Sequence, residues 1–118
     1  MFEGARAALD AGFDVILDAT FLSRESRKSA RWLARACSAD FVIIQATAPL
    51  AVCEERVATR ASTRTDASEA NAEVLRYQVE TNEPLTSREA MAAVTVSTIS
   101  EVDITTLVVA MRHRRSRR

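Results

Sequence analysis

Glycine is nearly missing from this chain. Gly4 and Gly12 are the only two in 118 residues, so no G-x-x-x-x-G-K-[ST] loop, whose backbone N–H groups cradle nucleotide phosphates, is present. Histidine occurs once, as His113, and with no ligand cluster around it this excludes a histidine-based metal centre or triad. The two cysteines, Cys37 and Cys53, are too few for a disulfide framework. Each sits where a small buried hydrophobe fits an amphipathic pattern, which predicts reduced core thiols and a cytoplasmic protein. Apolar runs are only a handful of residues long, too short to span a bilayer. The N-terminus has no basic stretch followed by an apolar one, so no secretory leader is expected. Charge of one sign is not in excess: sixteen basic residues balance sixteen acidic ones. No global field therefore draws the chain to nucleic acid, an acidic polymer or a membrane surface.

What remains is 47% apolar and 27% charged residues, the composition of one globular domain with a real core. Helical and extended patterns alternate along it. Phe2 to Ala11 carries apolar residues at helical spacing, with Gly12 placed to stop the helix. Phe13 to Leu17 reads as a buried strand. Ser23 caps a crossover helix through about Ala36, with Ala30, Leu33, Ala34 and Cys37 on one face and Arg24, Arg27, Lys28, Arg31 and Arg35 mostly elsewhere. Phe41 to Gln45 is a second buried run. Pro49 opens a helix through Arg60. After a polar break at Ser62 to Thr65, Asp66-x-x-Glu69 offers a capping box for a helix through about Asn82. Pro84 ends that segment. Thr86-x-x-Glu89 starts a shorter helical turn, Val94 to Thr98 is the third strand, and Ser100-x-x-Asp103 precedes a closing helix with Ile104, Leu107, Val108 and Met111. Three strands interleaved with helices predict an α/β fold, a parallel sheet with right-handed crossovers and flanking helices. Trp32 and Tyr77 read as helix-packing residues.

The apolar run Val15-Ile16-Leu17 ends abruptly in Asp18-Ala19-Thr20-Phe21, and a basic helix follows. This is how an α/β protein delivers polar groups to a site at the carboxyl end of a strand. Asp18 either orients a metal-bound phosphoryl group or accepts an acceptor proton, or else closes an Asx-type turn. Thr20 binds substrate or closes the same turn. Arg24 and Arg27, one turn apart, hold an anionic group or form a solvated face. Arg56, Arg60 and Arg64 recur at intervals of four and suit a lid over phosphates, with Arg56 alternatively pairing with nearby acids. In Arg112 to Arg118, five arginines and a histidine make a basic tail read as a solvated end, with nucleic-acid binding the weakest alternative.

Residues 11–22, then Arg24 and Arg27, resemble the third-strand region of small P-loop kinases. These are the AAA-type ATP-binding kinases often fused to aminoglycoside-phosphotransferase-like domains, with polynucleotide kinase, gluconate kinase and zeta toxins as more distant relatives. Phe41 to Arg60, with Ala48-Pro49 and Glu55-Arg56-Val57, resembles the strand and helix leading to their lid. Thr65 to Ala70 and Gln78 to Leu85 resemble the segment that follows. The resemblance implies an incomplete P-loop NTPase fold: residues 1–111 as the C-terminal portion of a kinase-like domain, a lid at about 56–85, and the tail 112–118. It also implies Mg²⁺ with ATP, a small-molecule or other hydroxyl acceptor, Asp18 as the catalytic group, Thr20, Arg24 and Arg27 at the acceptor, and Arg56, Arg60 and Arg64 at ATP. The phosphate loop that these kinases carry first is absent here, so weak or no activity alone is expected, the alternative being a noncatalytic remnant or interaction module that dimerises or docks to a partner. The remaining expectations are a homo-oligomer, or a missing N-terminal segment as partner, and no membrane.

Overall fold

A computed structural model describes residues 1–62 and 68–115. Helix α1 spans Phe2–Asp10 and ends at Gly12, whose φ of +89° is open to glycine at no steric cost. Gly12 N–H donates to Leu9 O and Phe13 N–H to Ala8 O, the two bonds of a Schellman stop. Helix α2 (Arg24–Ala36) starts at Ser23, whose hydroxyl accepts from Ser26 N–H. It ends in the same motif as α1, with Ser38 at φ +53° in glycine's place. Helix α1 packs on α2. Their buried apolar residues are alanines: Ala5 on one helix, Ala30 and Ala34 one turn apart on the other.

Strand β1 (Ile43–Thr47) and strand β2 (Ala93–Ser97) pair in parallel, Ile43 opposite Ala93 and Thr47 opposite Ser97. The long connection between them holds α3 (Leu50–Ser62), α4 (Ser68–Thr81) and α5 (Ser87–Met91). Helices α3 and α4 pack side by side, while α5 and the closing helix α6 (Ile104–Arg115) lie against β2. The protein is thus mixed α/β, with a parallel pair and flanking helices, an arrangement compatible with a P-loop NTPase-like fold.

Several expectations need correction. The sheet has two strands among the described residues, not three, because Phe13–Leu17 is not a strand. Residues 14–17 have no ladder partner among the described residues, and extended backbone becomes a strand only by pairing. Phe13 and Ile16, in the run expected to be buried, are 68% and 85% exposed. The predicted strand at 41–45 lies two residues later, at 43–47. It is not enclosed: from Ile44 to Thr47 every residue is exposed. Trp32 points away from the face formed by Arg27, Ala30 and Ala34, since two residues of helix turn it about 200° from Ala30, and it is largely exposed. Tyr77 is likewise exposed on α4. The thiols of Cys37 and Cys53 are free and half-buried rather than core. Arg112 to Arg115 continue α6 instead of forming a separate tail, in keeping with the favourable placement of cations at a helix C-terminus. Arg114 Nη1 donates to Met91 O at 3.5 Å.

The real core is small. The buried apolar residues among those described are Ala5, Ala30, Ala34 and Ala93, each contributing on the order of 1 kcal/mol through its methyl group. Directional polar contacts therefore carry unusual weight in setting where the loops lie.

Candidate functional site

Two polar assemblies involve candidate residues. The first sits at the carboxyl ends of the strands. Thr98 N–H and Thr98 Oγ1 both donate to Thr47 O, at 2.8 and 3.0 Å, extending the ladder one residue beyond β2. Arg56 reaches across from α3: its Nη1 donates to Thr98 Oγ1 at 3.0 Å and its Nη2 to Thr98 O. That fork fixes α3 over the end of the sheet, where parallel α/β folds bind ligands. Arg60 follows one turn later, exposed, in the last turn of α3. Arg64 lies outside the described residues.

The second assembly surrounds the loop before α2. Asp18 and Thr20 are exposed on it and make no hydrogen bond or ion pair among the described residues. Phe21 holds φ at +43°, a conformation that bulky L residues rarely adopt. Leu22 O accepts from Glu83 N–H at 2.8 Å. Arg24 N–H donates to Glu83 Oε1 at 3.3 Å, and Arg24 Nε lies 3.7 Å from Glu83 Oε2, both side chains being half exposed. Arg24 keeps a solvent-facing guanidinium.

Arg27 does not. It is 5% exposed, with its guanidinium bound on every nitrogen by the protein's own acceptors. Nε donates to Glu89 Oε1 at 2.9 Å, Nη2 to Glu89 Oε2 at 3.2 Å and Pro84 O at 3.3 Å, and Nη1 to Phe21 O at 2.8 Å. Arg27 is neither the solvated face nor the open anion-binding group that the sequence suggests: a charge this buried persists only when paired and hydrogen-bonded, and its donors are turned to acceptors inside the protein. Glu89 is held from its own side as well: Thr86 N–H donates to Oε2 at 2.8 Å, and Glu89 N–H donates to Thr86 Oγ1 at 3.1 Å, completing the capping box of α5. Foremost the Arg27 hydrogen bonds, then those from Thr86 and the Arg27 charge, outweigh burial and hold the Glu89 carboxyl at about 2, below its ordinary 4.5.

Among the described residues no hydrogen bond or ion pair joins Asp18 or Thr20 to Arg56. A separate groove of about 390 Å³ runs between α3 and α4, lined by Leu50, Val57, Leu75 and Val79 with Glu54 and Arg76. None of the site candidates lines it. Among the described residues no three His, Cys, Asp or Glu side chains group as a metal site. One exposed carboxylate, Asp18, with Thr20 two residues on in the chain, suits Mg²⁺ that arrives coordinated by phosphates and water, the usual mode of that ion.

Residues 1–85 match the family model described as AAA domain. The chain belongs to that AAA-domain family. Comparison with curated proteins and with solved structures finds no significant match. The family is one of P-loop NTPase-type, nucleotide-binding domains. In this AAA domain the match takes in the Asp18 loop, α2, β1 and the α3–α4 pair, and stops before α5 and β2. Glu89, the partner of Arg27, lies beyond it. Sequence reading recognised Thr86-x-x-Glu89 as a cap but had no signal for the ion pair.

Proposed function

We propose that this AAA domain is the acceptor-side portion of an ATP-dependent kinase. A hydroxyl of a small molecule or other acceptor attacks the γ-phosphorus of ATP, the bond to the β–γ bridging oxygen breaks, ADP leaves, and Asp18 takes the hydroxyl proton. Thr20 and Arg24 orient the acceptor from the same loop and the first turn of α2. Arg27 acts one step back, holding that loop through Phe21 O. Arg56 anchors α3, and Arg60 one turn later serves the lid side, toward the nucleotide phosphates. Mg²⁺ carried in by ATP would supply charge neutralisation at the phosphates, with Asp18 the residue that would face it.

The observation that carries the reading is an exposed Asp18 carboxylate, free of protein partners among the described residues, on a loop pinned at its C-terminal end. These 118 residues contain no phosphate-cradling loop, so activity of this chain alone is weak or nil. Calorimetric titration with Mg·ATP tests it. Weak, Mg²⁺-dependent binding that falls further in Asp18→Asn and Arg60→Ala is the expected result. Turnover by this chain at about 1–100 per second, the normal kinase range, contradicts the expected weakness.

A second reading has its own observation. The accessible surface is 9105 Å², whereas a compact monomer of 13.0 kDa exposes about 6,300 Å². The excess is several times the roughly 800 Å² that each partner buries in an ordinary interface. With β1 exposed from Ile44 to Thr47, we propose a second copy of this chain as the occupant. Light scattering across concentration tests it: a dimer supports self-association, and a monomer at high concentration rejects it.

A further inference from the structure

We infer that Arg27 and Glu89 form a clasp that makes the Asp18–Phe21 loop and the Glu83–Thr86 segment move as one unit, with Glu89 as a positioning residue for the loop. The connections are several and converge. Phe21 O accepts from Arg27 Nη1, Leu22 O accepts from Glu83 N–H, and Pro84 O accepts from Arg27 Nη2. Both carboxylate oxygens of Glu89 take Arg27 donors, and one also takes Thr86 N–H. Phe21 and, 57 and 62 residues beyond Arg27, Pro84 and Glu89 thus share one buried guanidinium.

Phe21 supplies the reason to regard this as more than packing. Its left-handed backbone is a conformation that persists only when the surroundings over-determine it, and such residues collect at sites where geometry matters. The bond from Arg27 to its carbonyl, with the neighbouring Leu22–Glu83 bond, is what holds it. Thr20 directly precedes it in the chain. On the other side, Asn82 N–H donates to Gln78 O, so the helical path of α4 runs almost into Glu83. A displacement of α4 is therefore delivered through Glu83 and Pro84 to the loop carrying Asp18 and Thr20. This coupling follows from the contacts alone. Only its use, to report lid position to the acceptor side, rests on the kinase reading.

Native-state hydrogen exchange of the whole chain tests it without nucleotide. The amides of Glu83, Arg24 and Thr86 are expected to exchange through one shared opening, with the same free energy and denaturant dependence, distinct from the sheet amides of Ile43 and Thr98. In Glu89→Gln and in Arg27→Lys all three should speed up together by at least about tenfold, the weight of one hydrogen bond to a charged group, and by more than Ile43 and Thr98, whose change reads only the loss of global stability. Separate openings, or a response of Thr86 alone, overturn the clasp. If a variant unfolds and the sheet amides exchange freely, the wild-type comparison still decides, because unequal openings there overturn the inference. Failure of ATP binding leaves this result untouched.

Discussion

Arg27 Nε and Glu89 Oε1 lie 2.9 Å apart although 62 residues separate them in sequence, and their side chains are only 5% and 13% exposed. A pair this enclosed behaves differently from one on the surface, since removing one partner strands the other charge away from water. Glu89→Ala is expected to cost about 3–5 kcal/mol. The exposed pair of Arg24 and Glu83, 3.7 Å apart with 59% and 46% of the side chains open, should cost below about 1 kcal/mol when Arg24→Ala breaks it. Urea unfolding of the two variants checks the contrast.

The same pair predicts how stability responds to acid. The folded-state carboxyl of Glu89 titrates at about 2 against an ordinary 4.5, foremost because Arg27 hydrogen-bonds its charged form. Its contribution is therefore complete above pH 4.5 and is lost as pH falls through that value toward 2, a difference of up to about 3 kcal/mol. Glu89→Gln should lower stability at neutral pH and flatten its dependence over this window. Denaturant midpoints measured at intervals across it read the effect directly.

Ser38 closes α2 in a conformation that costs an L residue energy. At φ +53°, and with its side chain exposed, glycine fits better. Ser38→Gly should raise stability by about 0.5 kcal/mol, the relief of left-handed strain less the entropy glycine adds to the unfolded chain. Gly12→Ala, at φ +89°, should lower it by about 1 kcal/mol. Thermal unfolding of both variants provides the test.

Partial burial, then the Asp10 carboxylate, which also hydrogen-bonds the thiol, push Cys37 above its ordinary 9.0, against a smaller opposing effect of Arg6. The thiolate is the reactive form, so Cys37 should be alkylated more slowly than a free thiol at pH 8. Asp10→Asn should speed it. Peptide mapping after timed iodoacetamide exposure distinguishes Cys37 from Cys53.

What could be read from the sequence was local chemistry. Gly12 as a helix stop, Ser23 as a cap and Thr86-x-x-Glu89 as a capping box all act over three to five residues, and each stands where the pattern placed it. Pairing is not local. Val15-Ile16-Leu17 has the residues of a strand, but nothing in those residues says whether a neighbour is present, and β1 began two residues later than its apolar run. The candidate site divides along the same line. Asp18 and Thr20 stand exposed on the loop, as an apolar run ending in polar residues suggests. The inward turn of Arg27 depends on Glu89, Phe21 and Pro84, which helical periodicity cannot bring together.

The central claim, that Asp18, Thr20 and the arginines of α3 form the face of a nucleotide-dependent phosphotransferase, is tested most directly by mapping amide NMR shifts of this chain on titration with ATP, with and without Mg²⁺. The account predicts small shifts at residues 18–24 and at Arg56 and Arg60 that require Mg²⁺ and shrink in Asp18→Asn. Shifts confined elsewhere, or none with ATP at about a hundred times an ordinary KM near 0.1 mM, would contradict it.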